Sequence, residues 1–285
     1  PLRGRGLARV GYGAMSRLIV VSNRLSVAKG RGAAGAQGGL ADAMSAALHN
    51  RGGIWFGWSG NEIEQFTGQL TMERIDGFTT ATIDLEPQDV DEYYNGYANR
   101  TLWPLFHYRI DLAEYENEFA RGYERVNERF ANSLYPLIEE DDMIWVQDYH
   151  FLPLGERLRA QGVNNRIGLF LHIPWPPTRL LVSLPHHERL VAAMLHYDVI
   201  GFQSDEWLES FLHYCRKEHG AEVDEDSGTV RIGGQSTIAR AFPIGIDHDE
   251  FMALGKSRIA QRSQQRLSDS ARKRTIAIGV DRLDY

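Results

Sequence analysis

Two short apolar runs, Met143 to Val146 and Ile167 to Leu171, each end in a polar cluster: Asp148 and His150 follow the first, and His172 follows the second. A carboxylate and an imidazole at the ends of two strand-like segments have the residue types of an acid and base pair. In open α/β sheets the strands supply rigidity, and the loops leaving their carboxyl ends supply chemistry. Function is therefore to be sought around Asp148 and His172. Each residue also has a plainer reading. Asp148 could cap a helix over Leu152 to Ala160, and His172 could be a satisfied buried imidazole.

A third chemical residue sits near the start. Leu18 to Val21 is a continuous apolar run followed by Ser-Asn-Arg24, and a Gly/Ala-rich loop ends in Gln37-Gly38-Gly39 directly before a helix over Leu40 to Leu48. Strand, glycine loop and helix let backbone N–H groups approach a phosphate or sugar closely. Gly-Gly before a helix is more often only a turn. Arg24 strengthens the signal, because a charge just past a buried strand needs a partner or a ligand. The plain alternative is an ion pair with a nearby acid.

The elements that must position these groups follow from periodicity. Gln69 to Ile75 and Phe78 to Leu85 alternate around a turn and predict a β-hairpin attached to the sheet. Pro87 opens a helix with acids in its first turn. Glu114 to Leu137 has helical apolar spacing through Tyr115, Phe119, Tyr123, Val126, Phe130 and Leu134. From Met143 the pattern alternates: helix Leu152 to Ala160, strand Ile167 to Leu171, helix Pro185 to Leu195, strand Val199 to Phe202, helix Trp207 to Glu218. Such alternation implies a parallel sheet. Glu222 to Gly228 reads as a solvated acidic loop, Thr237 to Ala241 as a strand, and Ser257 to Arg274 as a surface helix running into a linker. Thr275 to Tyr285 reads as a fresh buried strand that opens a second domain.

The totals bound the rest. The chain has 285 residues, 43% of them hydrophobic, and a formal net charge of −7. That suffices for a packed core and argues against a general role on nucleic acid or an anionic membrane. No apolar run approaches the roughly 20 residues of a membrane span. The single cysteine, Cys215, excludes an intrachain disulfide and a cysteine-based zinc cluster, and a reduced, cytoplasmic compartment fits best. The pair His186-His187, with His213 and His219 near Cys215, looks metal-like in composition. Neighbours one or two apart on a helix point to different faces, however, so no ligand set converges. Pro1 to Ala14, rich in Gly and Arg, reads as a disordered leader. Met15 is where a cytosolic protein could begin; an organellar targeting peptide is the weaker reading.

Taken together, ten segments in order resemble the trehalose-6-phosphate synthase family. They are Val21-Ser-Asn-Arg24, Gly38-Gly39-Leu40, Trp55-Phe-Gly-Trp-Ser-Gly60, Asp91-Glu-Tyr-Tyr94, Leu102-Trp-Pro104, Trp145 to His150, Asn164 to Pro174, Gly201-Phe-Gln203, Pro243-Ile-Gly-Ile246 and Asp281-Arg-Leu-Asp-Tyr285. The resemblance implies the N-terminal half of a GT-B glycosyltransferase, an α/β fold with a Rossmann-like parallel sheet. It divides the chain into a leader (1–14), an acceptor-binding domain (15–270) and the first strand of a donor-binding domain (271–285). It also implies transfer of glucose from UDP-glucose to glucose 6-phosphate with retention and without a metal. On this resemblance Arg24, Tyr94 and Asp148 hold the acceptor sugar phosphate and Trp58 lines that pocket. Gly38 and Gly39 lie against the donor, His172 touches the donor glucose, Trp103 shapes the pocket that fixes anomeric outcome, and Arg282 clamps the diphosphate. Asp148, His172 and Arg282 would be the catalytic set. Tyr93 reads as a packing neighbour of Tyr94. Sister transferases forming glucosylglycerol phosphate or validoxylamine phosphate share this logic, as does a non-catalytic sugar-phosphate-binding module. A homo-oligomer is compatible with all of them.

Overall fold

Strand β1 (Leu18–Arg24) is buried on both faces, and its alternating side chains enter two cores. Ile19 and Val21 join the larger one, while Leu18 and Val20 join Leu25, Met44, Leu48, Trp55 and Phe78 on the opposite face. A strand covered on both faces needs a continuous apolar run of this kind. Each such side chain contributes about 1.5–3 kcal/mol of burial. The computed structural model describes residues 16–25, 44, 47–48, 52–75, 77–246, 248–271, 274–275, 277 and 279.

Among the described residues the strands form one ten-stranded sheet in the order β3-β4-β2-β1-β5-β6-β7-β10-β9-β8. The others are β2 (Gly53–Glu62), β3 (Thr71–Ile75), β4 (Phe78–Leu85), β5 (Met143–Gln147), β6 (Arg166–Phe170), β7 (Val199–Phe202), β8 (Glu222–Asp224), β9 (Thr229–Ile232) and β10 (Gln235–Ala241). Strands β4, β2, β1, β5, β6, β7 and β10 are parallel to their neighbours in that block. The predicted hairpin is present as β3 and β4, antiparallel, and β10-β9-β8 is an antiparallel meander at the other edge. The chain leaves β1 for β2 on one side and later returns to β5 on the other. The β1/β5 gap is therefore a topological switch point, where ligands of open α/β sheets bind.

The connecting helices are α1 (residues 87–106), α2 (Asn117–Leu134), α3 (Leu154–Ala160), α4 (Thr178–Leu181), α5 (His187–Met194) and α6 (Asp205–Glu218). In α2 the stripe Tyr123, Val126, Phe130 and Leu134 is buried, as its spacing requires. Ser204 caps α6 by accepting from the Trp207 N–H. The central part of α1, Val90–Leu102, is wound wider than an α-helix, so that the Trp103 N–H reaches Ala98 O five residues back. Two glycines let α1 and α2 cross closely: a Cβ on Gly96 would lie 2.5 Å from the Phe119 ring, and one on Gly122 would lie 2.3 Å from Glu92 Cβ.

Several expectations shift. Tyr135–Leu137 is a 3-10 turn, so α2 ends before Pro136, which cannot continue it. The helix expected from Leu152 begins at Leu154, after a 3-10 turn over Tyr149–Phe151. Glu222–Asp224 is an edge strand rather than part of a loop, because Glu and Asp alternate outward around half-buried Val223. Of the helix over Leu40 to Leu48, the described residues Met44, Ala47 and Leu48 are helical. Compact units divide at Pro243. The second contains α7 (His248–Gly255), which the sequence reading did not separate, and α8 (Arg258–Ala271), an exposed helix as expected. Of the strand expected over Thr275 to Tyr285, the described residues Thr275, Ala277 and Gly279 are exposed, and the rest of that segment lies outside the described residues.

One buried carboxylate fixes α1 against α2. Asp89 is fully buried; its Oδ1 accepts from Arg125 Nε at 2.8 Å and its Oδ2 from Arg129. The same arginines reach Glu92 and Glu86, at 2.8 and 2.9 Å. Glu86 in turn accepts from the Phe66 N–H at 2.7 Å. Asp89→Ala would leave two partly buried guanidinium groups facing a cavity, and an expected loss of about 3 kcal/mol should appear as a lower urea midpoint. An unchanged midpoint would mean that the apolar α1/α2 contact alone holds the helix.

Candidate functional site at the carboxyl ends of the strands

Strand register places the predicted groups in a row. Arg24 is paired with Trp58 across β1/β2, Val21 of β1 with Val146 of β5, and Gln147 with Phe170 across β5/β6. Arg24, Trp58, Asp148 and His172 therefore leave adjacent parallel strands at the same edge. Gln203 follows Phe202 at the end of β7, one strand further along.

Asp148 adopts φ +71° and ψ 176°, a conformation that is essentially glycine's and costs another residue about 1–3 kcal/mol. Its surroundings hold it there. Its N–H donates to Phe170 O at 2.7 Å, and its O accepts from Phe151 N–H at 3.3 Å. Its Oδ1 accepts from the His172 N–H at 3.1 Å. The helix-capping reading fails, because the side chain caps neither the 3-10 turn nor α3, whose cap residue is Pro153. The strained backbone instead aims the carboxylate along the strand ends.

His172 is held on both ring nitrogens. Nε2 lies 2.9 Å from Gln147 Oε1, and Nδ1 lies 3.5 Å from Gln203 Nε2. Burial lowers its pKa to about 4, so at neutral pH Nε2–H donates to Gln147 and Nδ1 faces Gln203. A neutral imidazole with so low a pKa is a poor general base. Asp148 and His172 are thus a jointly anchored pair of hydrogen-bonding contacts, and the acid and base reading gives way to that.

The arginine is held by aromatic rings. The Arg24 guanidinium carbon sits 5.7 Å from the Trp58 ring centroid, and the Trp58 and Tyr94 rings are 5.8 Å apart. Among the described residues no carboxylate lies within 4.0 Å of it, so the structural ion-pair reading has no partner there. Trp58 is only 5% exposed and spends its indole N–H on Asn61 O at 2.7 Å. It acts as the floor under Arg24 and Tyr94 more than as an open platform. Tyr94 stacks on His150 at 6.0 Å and 18°. Trp103, nine residues along α1, stacks on His107 at 4.0 Å. Gly38, Gly39 and Arg282 lie outside the described residues.

The structure adds residues that pattern reading passed over. Gly60, at φ +89°, makes room for Arg24: a Cβ there would stand 2.6 Å from Arg24 Nε. Its signal was the glycine closing Trp58-Ser-Gly60. Gln147 and Gln203 orient His172, and both stand inside motifs already quoted. Asn23, next to Arg24, accepts from the Tyr93 hydroxyl at 2.9 Å. Tyr93 is fully buried against Tyr123, as a packing neighbour should be. Among the remaining histidines, His187 and His219 both pack against Tyr214 without a third metal-ligating group joining them. His187 meets the Tyr214 hydroxyl at 2.6 Å, and burial pushes the Cys215 thiol up to about 12. Among the described residues no cluster of three His, Cys, Asp or Glu could hold a metal ion, and no helix is long and apolar enough to cross a membrane.

Two outcomes test this geometry. With the carboxylate removed in both variants, Asp148→Gly should be more stable than Asp148→Ala by about 1 kcal/mol or more, the reverse of their order in a regular strand; thermal melting that ranks alanine higher would remove the strain argument. Buried neutral histidines set the second. Burial lowers His150 to about 3 and His172 to about 4, from 6.5. Unfolded imidazoles bind protons as pH falls through 6.5 and the folded ones do not. Stability is thus full above that pH and declines from there toward pH 4, by about 1.4 kcal/mol per unit per histidine. Urea midpoints should drop between pH 7 and 5, with a shallower drop in His150→Asn; a flat profile would contradict the burial of these rings.

A family profile, glycosyltransferase family 20, matches residues 16–285. A trehalose-6-phosphate synthase of Sinorhizobium fredii (strain NBRC 101917 / NGR234) is 44% identical over 275 residues, 95% of this chain and 58% of that protein. The crystal structure of a UDP-forming alpha,alpha-trehalose-phosphate synthase from Burkholderia xenovorans superposes with a TM-score of 0.82 at 42% identity, covering 95% of this chain and 57% of that one. Another from the same organism, in complex with glucose-6-phosphate, gives 0.78 at 40% identity over 88% and 56%. The chain thus spans a little over half the length of these relatives, and its sheet is the Rossmann-like half of their GT-B fold. By the extent of the profile match, this chain belongs to glycosyltransferase family 20.

Proposed function

We propose that this chain forms the acceptor-binding half of a glucosyltransferase that moves glucose from UDP-glucose to glucose 6-phosphate, giving trehalose 6-phosphate and UDP with retention. The observation that carries this reading is Arg24 lying over Trp58 beside the β1/β5 switch point, with no carboxylate to neutralise it among the described residues. A cation so placed suits a phosphate. Tyr94 supplies an aromatic face for the sugar, and Asp148, aimed by its own backbone, accepts sugar hydroxyl hydrogens. His172, neutral and anchored, contacts the donor glucose; Gly38 and Gly39 approach the donor diphosphate, Trp103 shapes the pocket, and Arg282 stabilises charge on the departing UDP. No side chain in this set needs to be a general base, which agrees with front-side attack in which the leaving phosphate takes the acceptor's proton. The donor is a substrate and no metal enters the reaction. A cytoplasmic location goes with this reading, since both substrates are phosphorylated metabolites.

The test is calorimetric titration with glucose 6-phosphate. The chain should bind it, and Arg24→Gln should weaken binding about tenfold or more. Gly60→Ala should weaken it too, by displacing the guanidinium without removing it. Binding unaffected by Arg24→Gln would overturn the acceptor assignment. Product analysis with UDP-glucose and a panel of phosphorylated acceptors then decides among acceptors.

A further inference from the structure

The first turns of α2, the start of α5 and the middle of α1 surround a cavity of about 590 Å³ that shares no lining residue with the strand-end site, a size typical of small-molecule sites. Its polar groups are Tyr97 on α1, Asn117, Arg121 and Glu124 on α2, and His186 and Arg189 at α5.

Three features of this lining are not accounted for by the fold. Tyr97 is 8% exposed, and among the described residues its hydroxyl has no hydrogen-bond partner; burial pushes its pKa up, so it stays a protonated donor facing the cavity. The ring is buried while the hydroxyl opens onto the cavity, since it is not among the enclosed unpartnered side-chain atoms of the described residues, and there it can donate to a ligand. Arg121 is exposed and makes no ion pair within 4.0 Å among the described residues. Its charge is felt at Glu92, where burial works to raise the carboxyl but Gln88, Arg125 and Arg121 together hold it low. His186 stands in the left-handed region at φ +59° at the cavity rim. The other charges are already paired: Arg189 meets Glu156 at 2.5 Å, and Glu124 is bound by Arg157. The surplus cation is therefore Arg121.

We propose that this cavity binds a small phosphorylated polyol, a second ligand apart from those of the strand-end site. The phosphate would sit on Arg121, with His186 and Arg189 beside it. Tyr97 donates to a ligand oxygen, while Asn117 and the Glu124 carboxylate take its hydroxyls. Mixed polarity of this kind selects an anion that also carries hydroxyl groups over a bare anion. The inference does not rest on the strand-end reading, since no residue is shared.

Calorimetric titration with sorbitol 6-phosphate tests it, in the Arg24→Gln background so that binding at the strand-end site is weakened and the two sites separate in affinity. One equivalent should bind. Adding Arg121→Gln should weaken binding about tenfold or more, and Tyr97→Phe should weaken it several-fold. Arg121 is exposed, so its variant keeps the fold, which circular dichroism verifies. No saturable binding in the Arg24→Gln chain, or binding unmoved by Arg121→Gln, would overturn the proposal. The outcome for glucose 6-phosphate with the unsubstituted chain is read separately, so either reading can fail alone.

Discussion

Parallel pairing is the constraint on which everything else rests. Seven neighbouring strands, from β4 through β1 and β5 to β10, run the same way. Their carboxyl ends must then share one edge, and residues far apart in sequence meet there without any loop having to search for them. Arg24 and Asp148 are 124 positions apart, yet they stand at the ends of adjacent strands because Val21 pairs with Val146. The order of connection adds the gap: leaving β1 in one direction and returning on its other side opens the crevice that these side chains border.

Rigid strand ends alone do not aim side chains, and the structure pays for aim locally. Asp148 occupies a glycine-like backbone conformation and is locked by bonds to Phe170, Phe151 and His172. Gly60 takes φ +89° so that Arg24 can lie across Trp58. Tyr94 depends on α1, which the buried Asp89 ties to α2 through two arginines. These devices cost stability or specificity of sequence, and each serves a side chain in the same row. Together these devices hold the row of side chains in fixed positions, with the one strained non-glycine residue of the strand ends, Asp148, among them.

The histidines show why position and environment have to be read together. His172 and His150 are both close to Asp148, but burial removes their charge at neutral pH, and their rings are committed to Gln147, Gln203 and stacked tyrosines. Both are neutral at neutral pH, and their rings are fixed by their neighbours. On the helical face the reverse holds: among the described residues, Tyr97 and Arg121 have donors that no hydrogen bond or ion pair uses.

The sequence by itself determined the parallel sheet, the hairpin, the extent of the main helices within a few residues, and the identity of the strand-end residues. It could do so because alternation, 3.6-residue spacing and polar clusters after apolar runs are local signals. The edge strand Glu222–Asp224 and the short helix Thr178–Leu181 escaped because so few residues give no usable period. Only the tertiary structure decided that Asp148 is strained rather than a helix cap, that Trp58 is a floor under Arg24, and that Gly60 and Gln147 are part of the site. Each of these depends on which strand lies beside which, and pairing between strands is a long-range choice that no stretch of sequence contains.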